Sequence, residues 1–208
     1  MDTVQQRILE SIQVKQRMMQ NTEFTGGVRK AADMITCCLK NGGKLVLAGN
    51  GGSESDALHF AGEITGRFLK ERDPWPALVL GADPATMTAI ANDYGYEETY
   101  ARQAKAFVKK GDVFIGISTS GNSINVIRAM EAVYGTGCKM IALLGRDGGR
   151  MKAMAHQALV IPSDVTARIQ ESHITVIHIL CELVEEAMNG AERTGKNGYE
   201  EQEESEVL

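Results

Sequence analysis

His59 and Glu63 stand four residues apart in the stretch GNGGSESDALHFAGEITGR, Gly49 to Arg67. On a helix that spacing sends both side chains out of one face, one turn apart. An imidazole beside a carboxylate can pass protons near neutral pH, and either group can also hold a metal ion. The same spacing describes an ordinary surface pair, so these two residues alone leave both readings open. The residues before them lean toward a ligand. GNGGS puts Gly49, Gly51 and Gly52 where a strand runs into a helix. Glycines let backbone N–H groups approach an anion closely, and a helix N-terminus favours negative charge. The pattern is not G-x-G-x-x-G, because Ser53 and Glu54 follow directly, and it lacks the lysine of a P-loop. A simple tight turn accounts for it equally well.

A second loop is more specific. STSGNS gathers Ser118, Thr119, Ser120 and Ser123 around Gly121, again between a strand and a helix. Four hydroxyls and free helical N–H groups make a neutral, donor-rich cradle, suited to a phosphate monoester held without lysine. The competing reading is a Ser/Asn capping box.

The elements that must position these loops follow from periodicity and breakers. Helices are expected over 3–22, with Val4, Ile8, Ile12 and Met19 on a repeating face, and over 25–40, ending at NGG (41–43). KLVLAGN, PALVL (76–80), DVFIGIS (112–118), KMIALLG (139–145) and QALVIP (157–162) read as strands. Helices are expected over 54–69, 85–93, 97–109, 122–137 and 165–188. The strands are apolar without in/out alternation, which signals a parallel sheet covered on both faces. The expected fold is therefore α/β: a three-layer, doubly wound domain with extra N-terminal helices. Ligands in such folds sit beyond the C-terminal strand ends, which selects the loops after the first and third strands.

Composition sets the outer bounds. The 208 residues, 43% of them hydrophobic, suit one domain. No apolar run nears the roughly 20 residues of a membrane span. The amphipathic start, MDTVQQRILESIQVKQRMMQ, does not read as a secretory signal, so the default location is cytoplasmic. Cys37, Cys38, Cys138 and Cys181 form no C-x-x-C and are expected as free thiols. Of the net charge of −5, four units come from the end, where six Glu face Arg193 and Lys196. Residues 1–190 are expected as the domain and 191–208 as an acidic, disordered tail. No clustered basic surface points to nucleic acid.

GNGGSESDALHFAGEITGR, ANDYGY, GISTSGNS and ARIQESHITVIHIL occur in that order, and together they resemble the sugar isomerase (SIS) domain family, most closely its bacterial phosphoheptose isomerases. The resemblance covers residues 5–188. It implies a five-stranded parallel sheet, a homotetramer with active sites between subunits, and a bound zinc ion. The implied reaction converts sedoheptulose 7-phosphate to D-glycero-D-manno-heptose 7-phosphate, the first committed step toward heptose for lipopolysaccharide or other surface glycans. By the same resemblance Asn50, Gly51, Gly52 and Ser53 line the substrate, and Asn92 and Asp93 meet sugar hydroxyls. Ser118, Thr119, Ser120 and Ser123 hold the phosphate. His59, Glu63, Gln170 and His178 form the metal and catalytic cluster, with Gln170 and Glu63 also touching substrate and Arg67 a further contact. One position departs from the pattern: Ala167 stands where some members carry Asp, with Asp164 nearby.

Gln170 and His178 are eight apart, so on a helix their directions differ by about 80° and one broad face holds both. Two imidazoles, a carboxylate and an amide oxygen form a borderline donor set that zinc suits, although glutamine is an unusual zinc ligand. In the implied reaction Glu63 takes and returns the carbon proton and His178 serves the oxygens. His156 and His173 read as core residues. Two other functions are carried forward: a non-catalytic SIS scaffold that binds the replication initiator, and an isomerase of another ketose phosphate.

Overall fold

The computed structural model describes residues 1–189; the expected tail, 191–208, lies outside them. In chain order the elements are α1 (Thr3–Gln20), α2 (Thr22–Lys40), β1 (Leu45–Ala48), α3 (Gly52–Thr65), β2 (Ala77–Val79), α4 (Pro84–Tyr94), α5 (Thr99–Phe107), β3 (Val113–Ser118), α6 (Ile124–Val133), β4 (Lys139–Gly145), α7 (Gly149–Met154), β5 (Gln157–Ile161) and α8 (Thr166–Met188). A short 3-10 turn, Tyr96–Glu98, leads into α5.

The five strands form one parallel sheet in the order β2-β1-β3-β4-β5. Both faces of it are buried, which is why the strand residues are apolar throughout. Val113, Ile115 and Ile117 of β3 join one core cluster, with residues of α1, α2, α3 and α8. Phe114 enters the other, against α5, α6 and α7. Each such aliphatic side chain adds roughly 1.5–3 kcal/mol by leaving water. The sheet's first two central strands, β1 and β3, are in register from Leu45↔Val113 to Ala48↔Gly116, and their connections leave toward opposite edges. That is the topological switch point, where open α/β sheets leave a crevice at the strand ends. GNGGS and STSGNS are the loops on its two sides.

Local chemistry explains the helix bounds. Asp2 caps α1 through a reciprocal bond pair with Gln5, and Asn21 both ends α1 and caps α2 by accepting from Phe24 N. Hence no break separates 22 from 25 as the periodicity implied. α6 is shorter than expected because the chain turns at Gly135 and Gly137, both at positive φ. The six residues of α7 were not expected at all, since one turn and a half shows no periodicity.

The repeating apolar face of α1 is not the side it buries. Its buried residues are Val14 and Met18. Val4, Ile8, Ile12 and Met19, the repeating apolar face, are instead between 46% and 69% exposed. The helix packs on α8 and α2 by one edge and turns its regular stripe outward. Among the described residues no helix is long and apolar enough to cross a membrane.

Candidate active site

The serine loop is a closed hydrogen-bond knot. Ser118, buried at the end of β3, lies 2.8 Å from the Ser123 hydroxyl and 3.5 Å from that of Ser120. Its oxygen also accepts the Gly121 N–H at 3.1 Å. Thr119 and Ser120 are half-buried beside it. Ser123 is the N-cap of α6, yet its side chain caps nothing. The capping-box reading therefore fails, and the hydroxyls stay clustered at a helix start that favours an anion. The loop is also backed from behind. Gly121, at φ +66°, has its backbone pressed on the Gly148 carbonyl, where any Cβ would collide. Met151 N donates to Gly121 O at 3.0 Å, and Arg150 N donates to Asn122 Oδ1 at 3.1 Å.

The glycine turn is held from three sides. Gly51 sits at φ +57° and no side chain caps α3. Asn50 exchanges two 2.9 Å amide bonds with Asn125 of α6, and its Oδ1 also accepts from the Tyr96 hydroxyl at 2.9 Å. The Tyr100 hydroxyl donates to Gly49 O. Asn50 thus joins the two switch-point loops, and Ser53 is buried beneath them. The Gln170 amide of α8 packs directly on Gly52, so a Cβ there would displace it. Burial pushes Glu54, in the first turn of α3, up to about 7, with the Gly49 N–H and the Tyr100 hydroxyl pulling the other way.

Further along α3 the third group assembles. His59 Nε2 lies 3.1 Å from Glu63 Oε1, and His178 Nε2 of α8 lies 3.2 Å from His59 Nε2. One donor atom from each of the three residues falls within 4.8 Å of the others, a possible metal-binding triad. Glu63 Oε2 has no hydrogen-bond partner among the described residues. The two imidazole rings are 5.1 Å apart, and Phe68 stacks on His178 at 5.6 Å with 26° between the planes. Asp56, one turn before His59, has an oxygen, Oδ2, that is buried without a partner. Burial pushes its carboxyl up to about 6, against the pull of His59.

Other expected residues lie elsewhere. Gln170 is two turns before His178, about 12 Å along the helix, with its amide against Gly52. Asn92 and Asp93 are exposed at the end of α4, bonded to each other at 2.9 Å. Arg67 is exposed and pairs with Glu71. Ala167 and Asp164 are exposed at the start of α8. His173 is buried against Leu144 O, and burial pushes it down to about 4. His156 accepts from Met140 N at 3.0 Å. His173 is the core residue expected; His156, expected in the core as well, is instead exposed just before β5. Tyr96, Tyr100 and Asn125 were not singled out, although Tyr96 closes the quoted ANDYGY; nor was Phe68, which directly follows TGR.

A doubly wound sheet with two donor-rich loops at its switch point defines an α/β domain with a crevice suited to an anionic ligand. Residues 9–145 match the SIS domain family, and the chain belongs to it. Within the family it is similar to phosphoheptose isomerases. It is 46% identical over 187 residues to that of Nitratiruptor sp., covering 90% of this chain and 99% of the relative. With that of Helicobacter hepaticus it shares 49% identity over 162 residues, covering 78% and 83%. The solved phosphoheptose isomerase of Neisseria gonorrhoeae superposes with a TM-score of 0.81 at 42% identity, covering 88% of this chain and 99% of that one.

Proposed function

We propose that the protein is an aldose–ketose isomerase that converts sedoheptulose 7-phosphate to D-glycero-D-manno-heptose 7-phosphate. The observation that carries this reading is the meeting of His59, Glu63 and His178 from α3 and α8. High identity to phosphoheptose isomerases over nearly the whole chain supports the same reaction. A scaffold that only binds a protein would not need the acid–base group, so that alternative is not favoured.

The chemistry follows from the groups present. Interconversion moves a proton between C1 and C2 and adjusts protons on the two oxygens through an enediol, which takes a base for carbon and an acid for oxygen. Glu63 is the base, acting through Oε2, while Oε1 faces His59. His178 serves the oxygens. The serine loop holds the phosphate, and Asn50, Gly51, Gly52 and Ser53 form the adjoining wall. Gln170, Asn92 and Asp93 are read as contacts to the sugar chain.

The donor chemistry of the triad fits a divalent cation. With N–metal bonds of about 2.0–2.1 Å, a tetrahedral zinc site has ligand-to-ligand edges of about 3.3 Å, close to the 3.1 and 3.2 Å seen here. His59, Glu63 and His178 would hold zinc, and Gln170 would join as a fourth donor by swinging its amide away from Gly52. When bound, zinc supplies a Lewis acid that polarises the substrate carbonyl.

The exposed face of α1, Val4, Ile8, Ile12 and Met19, supports a homotetramer, since a regular apolar stripe of this kind is a contact surface. A sugar-phosphate substrate and four free cysteines favour the cytoplasm. The product feeds heptose for lipopolysaccharide or another surface glycan. Incubating the protein with C5, C6 and C7 ketose phosphates and following aldose phosphate by NMR tests the assignment. Turnover is expected on sedoheptulose 7-phosphate above the others; preferred turnover of a shorter ketose would overturn the chain-length assignment.

A further inference from the structure

We propose that Arg72 and Glu185 form a buried clamp that positions the acid–base pair, fixing the backbone at Glu63 and holding the Phe68 ring on His178. This rests on the roles given above to Glu63 and His178.

Residues 66–76, between α3 and β2, contain no helix or strand. A connection without a ladder is ordinarily among the loosest parts of a fold. Here it is bound tightly. The Glu185 carboxylate of α8 accepts N–H groups from Phe68 at 2.9 Å, Leu69 at 2.9 Å and Lys70 at 3.0 Å, and the Arg72 Nε–H at 3.0 Å. Arg72 spends its remaining donors on carbonyls: Ile64 at 3.0 Å, Asp73 at 3.2 Å, Gly66 at 3.3 Å, and Glu63 at 2.7 Å. Its guanidinium also lies 3.6 Å from the Trp75 ring centre. The two side chains are 4% and 2% exposed. A buried ion pair costs stability unless its remaining donors and acceptors are satisfied. In this one every guanidinium nitrogen and both carboxylate oxygens have partners, so the pair is built for geometry rather than left as an accident of packing. Burial pushes the Glu185 carboxyl up, but the three amides and Arg72 outweigh it and hold the group below the usual carboxylate range.

What the clamp touches at its far ends gives it a role. Glu63 and Ile64 lie in the last turn of α3, whose carbonyls have no partner within the helix. Arg72 supplies those partners and sets a positive charge at the negative end of the helix dipole. The backbone that carries the proposed base is thus pinned by a side chain nine residues on. At the other end, anchoring the Phe68 N–H places its ring over one face of the His178 imidazole. His178 and Glu185 are seven apart on one face of α8, so the helix presents the imidazole and the anchor for its cover together. With one face blocked by Phe68, His178 keeps the orientation that puts Nε2 3.2 Å from His59 Nε2. Neither Arg72 nor Glu185 needs to touch substrate; they are positioning residues.

The test uses the full chain with Arg72→Lys, Glu185→Gln and Phe68→Leu, each checked for fold by circular dichroism. Trp75 is the sole tryptophan, so its emission reports the strap directly. Arg72→Lys and Glu185→Gln are expected to shift Trp75 emission and lower kcat roughly 10- to 100-fold, the cost of a small misplacement. KM for sedoheptulose 7-phosphate should stay within about threefold, because a positioning residue acts on the chemical step and not on ground-state binding. Phe68→Leu should lower kcat with Trp75 emission unchanged, which tests the same idea from its other end should the clamp variants not fold. Shifted Trp75 emission with kcat near the parent value would overturn the clamp. So would a loss shared between kcat and KM, which marks a merely structural role. Glu63→Gln separates the layers. If it remains active, the acid–base reading itself fails. If it is inactive while folded clamp variants keep their kcat, the clamp alone fails.

Discussion

The serine loop and the His59–Glu63–His178 cluster are built in opposite ways. The loop is one β–α connection whose hydroxyls bond mainly to one another, with Ser118 buried and Gly121 braced on the Gly148–Gly149 turn. The cluster joins two helices across 119 residues of sequence, and the side chains of His59 and Glu63 are 45% and 25% exposed. A neutral, pre-formed cradle suits a group that must be held without being changed. A partly open, ionisable cluster suits a group that must exchange protons and hold a metal. In the proposed function the first region therefore binds and the second does the chemistry.

That division predicts distinct failures. The largest is expected from His178→Ala, which removes an acid and a metal donor together. Its kcat should fall roughly 10²- to 10⁴-fold, the usual worth of an acid–base group, in a steady-state assay. Removing the metal comes next. Chelation should suppress turnover and added zinc restore it. Elemental analysis should find zinc in the parent but little in His59→Ala, and equal zinc in both would break the triad assignment. Ser118→Ala acts on the other region. It removes the hydroxyl that bonds the Ser123 hydroxyl and accepts the Gly121 N–H, and should raise KM by about tenfold, the cost of one or two such bonds, with kcat little changed. A loss confined to kcat would contradict the division.

The smallest effect concerns pH, and it lies beneath the glycine turn. Burial raises Glu54 from its ordinary 4.5 to about 7. Its folded-state value lies above the unfolded one, so folding takes up a proton in that window. Stability therefore falls as pH rises from about 4.5 to 7. Glu54→Gln should flatten this component, raising Tm at pH 8 more than at pH 5 relative to the parent. Identical Tm shifts at both values would show that Glu54 does not titrate there.

How much of this could be read before the structure differs between the same two regions. The sheet was legible because strands buried on both faces carry unbroken apolar runs, and β1 and β3 needed no partner to be recognised. STSGNS was legible because its residues are neighbours in sequence. For His59 and Glu63 the sequence offered a helix face and an undecided choice between chemistry and solvation. The resemblance added His178 to the pair, and the packing of α8 on α3 brings it 3.2 Å from His59, which no local spacing encodes. The Asn50–Asn125–Tyr96 tie is tertiary in the same sense. Glu185 did leave a trace, as an acid on the buried face of α8 seven residues after His178, a placement that demands a buried partner. For α1, periodicity located the apolar face but not what it faces.

The division of labour is tested most directly by Glu63→Gln, read in two ways on one preparation: turnover of sedoheptulose 7-phosphate, and its binding by calorimetry. The account predicts no detectable heptose product and a Kd within about threefold of the parent, since removing a group that acts in the transition state leaves ground-state binding in place. Near-parent turnover, or lost binding with the fold intact, would contradict it.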